Sequence, residues 1–237
     1  MNKIDKSNVI KAIIKEIAKQ YKLSYQPTDC TCDDNCSEVT VKADNDWNTL
    51  QEQLKRQGID HIDWYENIWK QLENPGKTVL KDTPFKRRKR FFFKECAISR
   101  WNRYNPEEWW EDVDEGEQLV LIRDYNNKHD FNAVAIAFAG DYEGDPENFD
   151  FEYIIGYVPQ SDNELIAQLM DQGLHNTFIA ELTTKKMNGT MKERLRMTIY
   201  VQSDEELEDT EFAPMFDDCK NGLSGKKIGL FGSYGWG

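Results

Sequence analysis

Residues 116–138 read GEQLVLIRDYNNKHDFNAVAIAF, and residues 153–159 continue with YIIGYVP. Residues 117–123 and 133–138 are short apolar runs with β-branched side chains, the composition of strands half buried against a core. Between them, residues 124–132 carry Asp, Asn, Lys and His, too rich in hydrogen-bonding side chains for a minimal turn. Asn and Asp in such loops bond their own backbone. Working outward, residues 91–98, 151–158, 178–184 and 195–201 have the same β character. Six strands of this length predict a small SH3/OB-like β-barrel.

One helix interrupts the strands. Its start is predicted from a capping box, Ser161-x-x-Glu164, its buried face from Leu165, Ile166, Leu169 and Met170, and its end from Gly173. Asn188-Gly189 predicts a hairpin between the last two strands, because both residues tolerate positive φ, with a connection longer than two residues. Residues 1–80 read as helices. Val9, Ile10, Ile13, Ile14, Ile17, Ala18 and Tyr21 recur at helical spacing behind Ser7, Asp46 reads as the cap of a second helix ending at Gly58, and Ile62 to Leu72 form a third ending at Pro75-Gly76. The tryptophans of this region are expected to be packing residues. The fold class is therefore α+β: a helical region 1–80, the barrel at 85–203, and a short helix-strand tail at 205–237.

Charge is unevenly distributed. The chain has 237 residues and a net charge of −13, which excludes indiscriminate coating of nucleic acid. Residues 81–104, KDTPFKRRKRFFFKECAISRWNRY, nevertheless hold 9 basic and 2 acidic side chains, while residues 105–160 hold 2 and 15. The basic segment interleaves cations with Phe91, Phe92, Phe93, Trp101 and Tyr104, the mixture that attracts phosphates and stacks bases. The alternative is a solvated edge strand with core phenylalanines. Five cysteines, three of them at 30, 32 and 36, do not form a secreted disulfide framework. Their spacing lacks the second pair of a structural zinc site, even with His61 or Cys96 as a further ligand. No apolar run reaches the roughly 18 residues of a membrane span, and the first ten residues lack the apolar core of a signal peptide, so the expected location is the cytoplasm.

Asn127-x-x-Asp130-x-Asn132-Ala133-Val134, followed by Gly156-Tyr157-Val158-Pro159 and a capped helix, resembles the HIRAN domain over about residues 91–202. That family is a small β-barrel module found fused to remodelling helicases and also alone in bacteria. The resemblance implies recognition of single-stranded DNA by its free 3′ end, with bases stacked on aromatic rings and the terminal hydroxyl bonded by the loop Asp. Carried over, Asp130 is the hydroxyl acceptor and Asn127 either orients the loop or contacts the terminal nucleotide. Tyr157 lies in the second motif. Arg100-Trp101 or Arg103-Tyr104 supplies the basic-aromatic pair, the register between them remaining open. Lys128 and His129 depart from the family's usual Pro and larger aromatic at these positions. The acidic 105–160 stretch repels a DNA backbone except where Lys128, Arg123 and the 81–104 segment counter it.

Residues 205–237 resemble part of a clostridial-type flavodoxin, with Ser233, Tyr234, Gly235 and Trp236 matching the loop that holds the flavin ring. No phosphate-binding turn accompanies them, so no cofactor is expected. The sequence thus points to a non-catalytic module that binds single-stranded DNA, at its 3′ hydroxyl, in DNA repair or processing. A separate helicase or nuclease would be its partner, and no membrane is involved. Two alternatives stand beside it: a protein-interaction adaptor using the same barrel, and a flavodoxin-type FMN-binding fragment.

Overall fold

The computed structural model describes residues 6–24, 37–73, 88–142, 146 and 148–206. The six predicted strands are present: β1 (Arg88–Ala97), β2 (Gln118–Arg123), β3 (Val134–Phe138), β4 (Ile154–Tyr157), β5 (Phe178–Lys185) and β6 (Leu195–Glu206). They form one antiparallel sheet in the order β1-β6-β5-β2-β3-β4. The sheet does not close into the expected barrel. Its two edges touch at one residue pair beyond the end of β1, where Ser99 and Tyr157 exchange backbone hydrogen bonds of 2.8 and 2.9 Å. The pairing stops there because Arg100 turns to a φ of 61° on one side and Pro159 on the other has no N–H to donate.

Burial follows the pleat. Ile199, Val201 and Met197 on β6, Ala180 and Leu182 on β5, and Val134 and Ile136 on β3 are all buried. Each of the larger of these side chains contributes about 1.5–3 kcal/mol over an exposed one, and Ala180 less. Helices α1 (Lys6–Gln20), α2 (Ser37–Arg56) and α3 (Asp63–Glu73) continue this core rather than forming their own. Ile13, Ile14, Ile17, Leu50 and Ile68 are among the fully buried residues. Trp64 meets Phe93 edge-on at 5.0 Å, and Phe93 in turn meets Phe178 at 5.2 Å. Gln71 on α3 donates to the Gln202 carbonyl of β6 at 2.8 Å.

Two local expectations are corrected. Asp46 is interior to α2, which begins at Ser37, because the buried turn formed around Leu50 and Leu54 is extended cooperatively past a residue that only locally signals a cap. The helix α5 (Glu164–Asp171) has Asn163 as N-cap, not Ser161. Ser161 donates to Asp162, and Glu164 is taken by Lys15 of α1 at 2.7 Å, so a tertiary ion pair replaces the local box. The β5–β6 connection is the expected hairpin around Asn188-Gly189, longer than two residues, with Lys185 pairing Leu195 across it. It contains α6 (Met191–Arg194), whose capping box joins Thr190 and Glu193. A further one-turn helix, α4 (Pro106–Trp109), follows β1.

Cys96 is buried on β1, and its thiol is pushed up to about 12 by burial and then by the charge of Asp162. The His61 ring contacts Glu66 at 3.1 Å. Cys30, Cys32 and Cys36, the 80/85 boundary, and the flavodoxin-like loop with Ser233 and Trp236 lie outside the described residues. No described helix is long and apolar enough to cross a membrane.

Candidate nucleic-acid interface

The β2–β3 loop is built by its own Asx side chains. Asp124, buried at the end of β2, accepts from the Asn126 backbone N–H at 3.1 Å, the Asn127 amide at 3.0 Å and the Tyr157 hydroxyl at 2.8 Å. Asn127 Oδ1 accepts from the N–H groups of His129 at 3.0 Å and Asp130 at 3.1 Å. Asp130 Oδ1 accepts the Asn132 N–H at 2.9 Å, and Oδ2 accepts the amide of the buried Asn163 at 2.7 Å. These bonds pin nine irregular residues without a ladder.

Arg123 secures the same loop from beneath. Its guanidinium donates to Asp171 at 2.9 Å, to the Ala133 carbonyl at 2.8 Å and to the Phe131 carbonyl at 2.6 Å, while the Tyr125 ring stacks 4.9 Å from it. The side chain is only 3% exposed, which corrects the expectation that Arg123 screens a DNA backbone. Its charge is spent inside the protein.

Tyr157 stands where the sheet edges meet. Its phenol is raised well above the ordinary value of 10.0 by burial, then by its bond to Asp124 and that carboxylate's charge, so it remains a neutral donor. The Tyr104 ring lies 5.9 Å from it. Gly156 is required next to Tyr157, because a Cβ there would sit 2.6 Å from Ile98 Cγ2 and 2.7 Å from the Ser99 carbonyl oxygen. Gly156→Ala is therefore expected to destabilise the chain by about 1–3 kcal/mol. A chemical denaturation midpoint unchanged from wild type would refute this.

The nine residues singled out from sequence divide sharply. Asn127, Asp130, Tyr157 and Tyr104 share one neighbourhood through Asp124, with Lys128 and His129 exposed on the loop between them. Arg100 and Arg103 are exposed. Trp101 is not available for stacking, which corrects its assignment: it is 3% exposed, its indole donates to the Met191 carbonyl at 3.2 Å, and its faces meet Arg194 at 4.8 Å and Trp110 at 5.1 Å. Of the two alternative rings, Tyr104 is the one beside Tyr157, whose hydroxyl bonds Asp124 at the start of the loop.

Two rings were missed. Phe131 is 89% exposed and Tyr125 64% exposed, both in the loop and both tied to Arg123. The available signal was position, since Phe131 precedes the strand and is not part of its alternation. A concave surface of about 520 Å³ lies elsewhere, lined by Trp110, Glu111, Asp114, Glu115, Lys185 and Met187.

The HIRAN domain model matches residues 95–204, which include this loop. Residues 95–204 are a HIRAN domain. HIRAN is a nucleic-acid-binding type of domain and not a catalytic one. The chain is similar to the crystal structure of the HIRAN domain of human HLTF, at 18% identity and a TM-score of 0.33, over 57% of this chain and 91% of that one. It is similar also to a crystal structure of a protein from Lactobacillus plantarum, at 15% identity and a TM-score of 0.37, over 48% and 97%. Among curated proteins, a flavodoxin from Clostridium beijerinckii is 32% identical over 89 residues, and one from Megasphaera elsdenii is 64% identical over 33 residues. The chain spans 64% and 24% of the length of these two relatives, 35% and 14% of its own. The HIRAN match includes the loop, and the flavodoxin relatives match smaller shares of the chain.

Proposed function

We propose that this HIRAN domain binds single-stranded DNA at its free 3′ hydroxyl, in DNA repair or processing, with a separate helicase or nuclease supplying any chemistry. The observation that supports this most is the fixed carboxylate of Asp130, half buried between the Asn132 N–H and the Asn163 amide and flanked by the exposed ring of Phe131. Each of its oxygens accepts one bond and keeps a lone pair for a further donor. A terminal hydroxyl is such a donor, whereas a terminal phosphate brings negative charge against the carboxylate. Phe131, Tyr125 and His129 offer faces for bases, and Lys128, Arg100 and Arg103 offer cations for phosphates.

The test is an anisotropy titration of the full chain with a labelled 12-nucleotide single strand ending in a 3′ hydroxyl or a 3′ phosphate. A hydrogen bond to a charged acceptor is worth about 1.5–3 kcal/mol, so the hydroxyl form is expected to bind roughly 10- to 100-fold more tightly. Asp130→Ala should erase the difference. Equal affinities in the wild type would sink the reading.

A further inference from the structure

One buried side chain beneath the loop is used in a way that its place in the fold does not require. Asn163 is the N-cap of α5, where the oxygen of an Asn side chain ordinarily accepts an N–H from the first turn of its own helix. Here it makes no capping bond. The residue is 0% exposed, its amide nitrogen donates to Asp130 Oδ2 at 2.7 Å, and its Oδ1 has no hydrogen-bond partner among the described residues. Leaving a buried acceptor without a donor is unfavourable, so this asparagine forgoes both its cap and its own acceptor bond while keeping the contact with Asp130.

That contact decides how the carboxylate is turned. Oδ1 of Asp130 takes the Asn132 N–H at 2.9 Å, a bond between neighbours that holds one oxygen and leaves rotation of the group open. Asn163 reaches Oδ2 from 33 positions away and from the buried side of a half-buried residue, which leaves the remaining lone pairs for the solvent side. The donor is also neutral. A lysine or arginine in its place would cancel the charge that separates a hydroxyl from a phosphate, whereas an amide fixes the carboxylate and leaves its charge whole. The backbone that carries Asn163 is held on both sides by α1. Asp162 accepts from Lys19 at 2.5 Å and lies 3.4 Å from Lys94, Lys19 also donates to the Ser161 carbonyl at 2.7 Å, and Glu164 accepts from Lys15 at 2.7 Å.

We propose that Asn163 is a positioning residue that sets the preference of this site for a 3′ hydroxyl, its amide turning the Asp130 carboxylate so that a lone pair meets the terminal hydroxyl. This rests on the reading of the loop as a 3′-end site and adds to it the residue that makes Asp130 selective.

The experiment is an anisotropy titration of the full chain and its Asn163→Leu variant with the same pair of strands, hydroxyl-ended and phosphate-ended, with thermal midpoints recorded for both proteins. Leucine keeps the volume and offers no donor, so Asp130 turns to water. Affinity for the hydroxyl strand should fall about tenfold, the scale of one hydrogen bond to a charged group, while affinity for the phosphate strand stays unchanged. A residue that merely supported the loop would weaken both strands alike, and that result overturns the proposal. A second measurement uses the wild type and does not depend on the variant's folding: the NMR signals of the Asn163 side-chain amide should shift on saturation with the hydroxyl strand and stay in place with the phosphate strand. If the variant's midpoint collapses, these signals decide. A wild type that prefers the hydroxyl strand, beside a folded variant that prefers it equally or an Asn163 amide that neither strand moves, overturns the positioning role and leaves the end site standing. If the wild type binds both strands equally, the end site and the role of Asn163 fall together.

Discussion

Replacing Arg123 with alanine is expected to cost about 2–4 kcal/mol of stability and to free the β2–β3 loop. The guanidinium joins four groups at once: the Asp171 carboxylate, the carbonyls of Ala133 and Phe131, and the Tyr125 ring. Each charge-assisted bond is worth about 1.5–3 kcal/mol when lost, but they do not add. Asp171 is 35% exposed and can take water instead, and the Ala133 carbonyl keeps the Asp124 N–H at 3.0 Å. The Phe131 carbonyl loses the donor it has from Arg123, and the vacated stem leaves a cavity beside the buried end of β2. Arg123→Met tests the division, since it refills the cavity without restoring a donor, and should recover only part of the loss. Urea denaturation gives the energy, and hydrogen exchange of the His129, Asp130 and Asn132 amides gives the loop. A loss under ~1 kcal/mol with unchanged exchange would show that the Asx bonds alone hold the loop.

The strands were legible for two reasons: β2 and β3 are buried on both faces and read as short continuous apolar runs, while β5 alternates buried and half-buried residues with a period of two. The sheet's failure to close was not. It depends on Arg100 taking a φ of 61° and on Pro159 having no N–H, and β4 is itself short because residues 151–153 form a turn of 3₁₀ helix capped by Asp150. Composition does not separate a strand from such a turn when both are apolar. The same limit affects α2 and α5. Asp46 and Ser161-x-x-Glu164 are good local signals, overridden in one case by cooperative extension and in the other by Lys15, a residue 149 positions away.

The site shows a comparable division. The motif residues Asn127 and Asp130 could be named because their spacing is local, and their bonds to backbone N–H groups two or three residues on are what that spacing permits. The choice between Trp101 and Tyr104 could not be made from spacing. It is decided by Arg194 and Met191 in the β5–β6 connection, which cover Trp101 from a place some ninety residues later. An Arg next to an aromatic ring reads alike in sequence whether the ring faces solvent or core. Long-range packing sorts them, leaving Tyr104 beside Tyr157 and Phe131 in solvent.

Lys94→Ala is expected to be the most damaging single change, at about 3–5 kcal/mol. Lys94 and Glu16 are each 8% exposed and 2.6 Å apart, joining β1 to α1. Glu16 also accepts from Gln20, whose amide donates to the Phe93 carbonyl and whose oxygen accepts from Trp64, so one ion pair organises the contact of three elements. Removing the lysine leaves a buried carboxylate against Phe93 and Trp64, and that uncompensated charge is the penalty. The pair itself need not be net stabilising. Lys94→Met combined with Glu16→Gln should therefore return to within ~1 kcal/mol of wild type, because it removes both charges and keeps the volume. Acid titration supplies an independent check through Asp162, which lies 3.4 Å from Lys94 and bonds Lys19. Burial alone would raise this carboxyl, but the bonds from Lys19 and Ser161 and the charges of Lys94 and Lys19 hold it below its ordinary 3.8. A depressed folded value means that its contribution is complete above that pH and is lost as pH falls through the folded value. Without Lys94 the depression shrinks, so the variant should lose less further stability than wild type between pH 4 and the acid limit. If the single variant is as stable as the double one, Glu16 is reached by water and the contact between helix and sheet is held by its apolar residues alone.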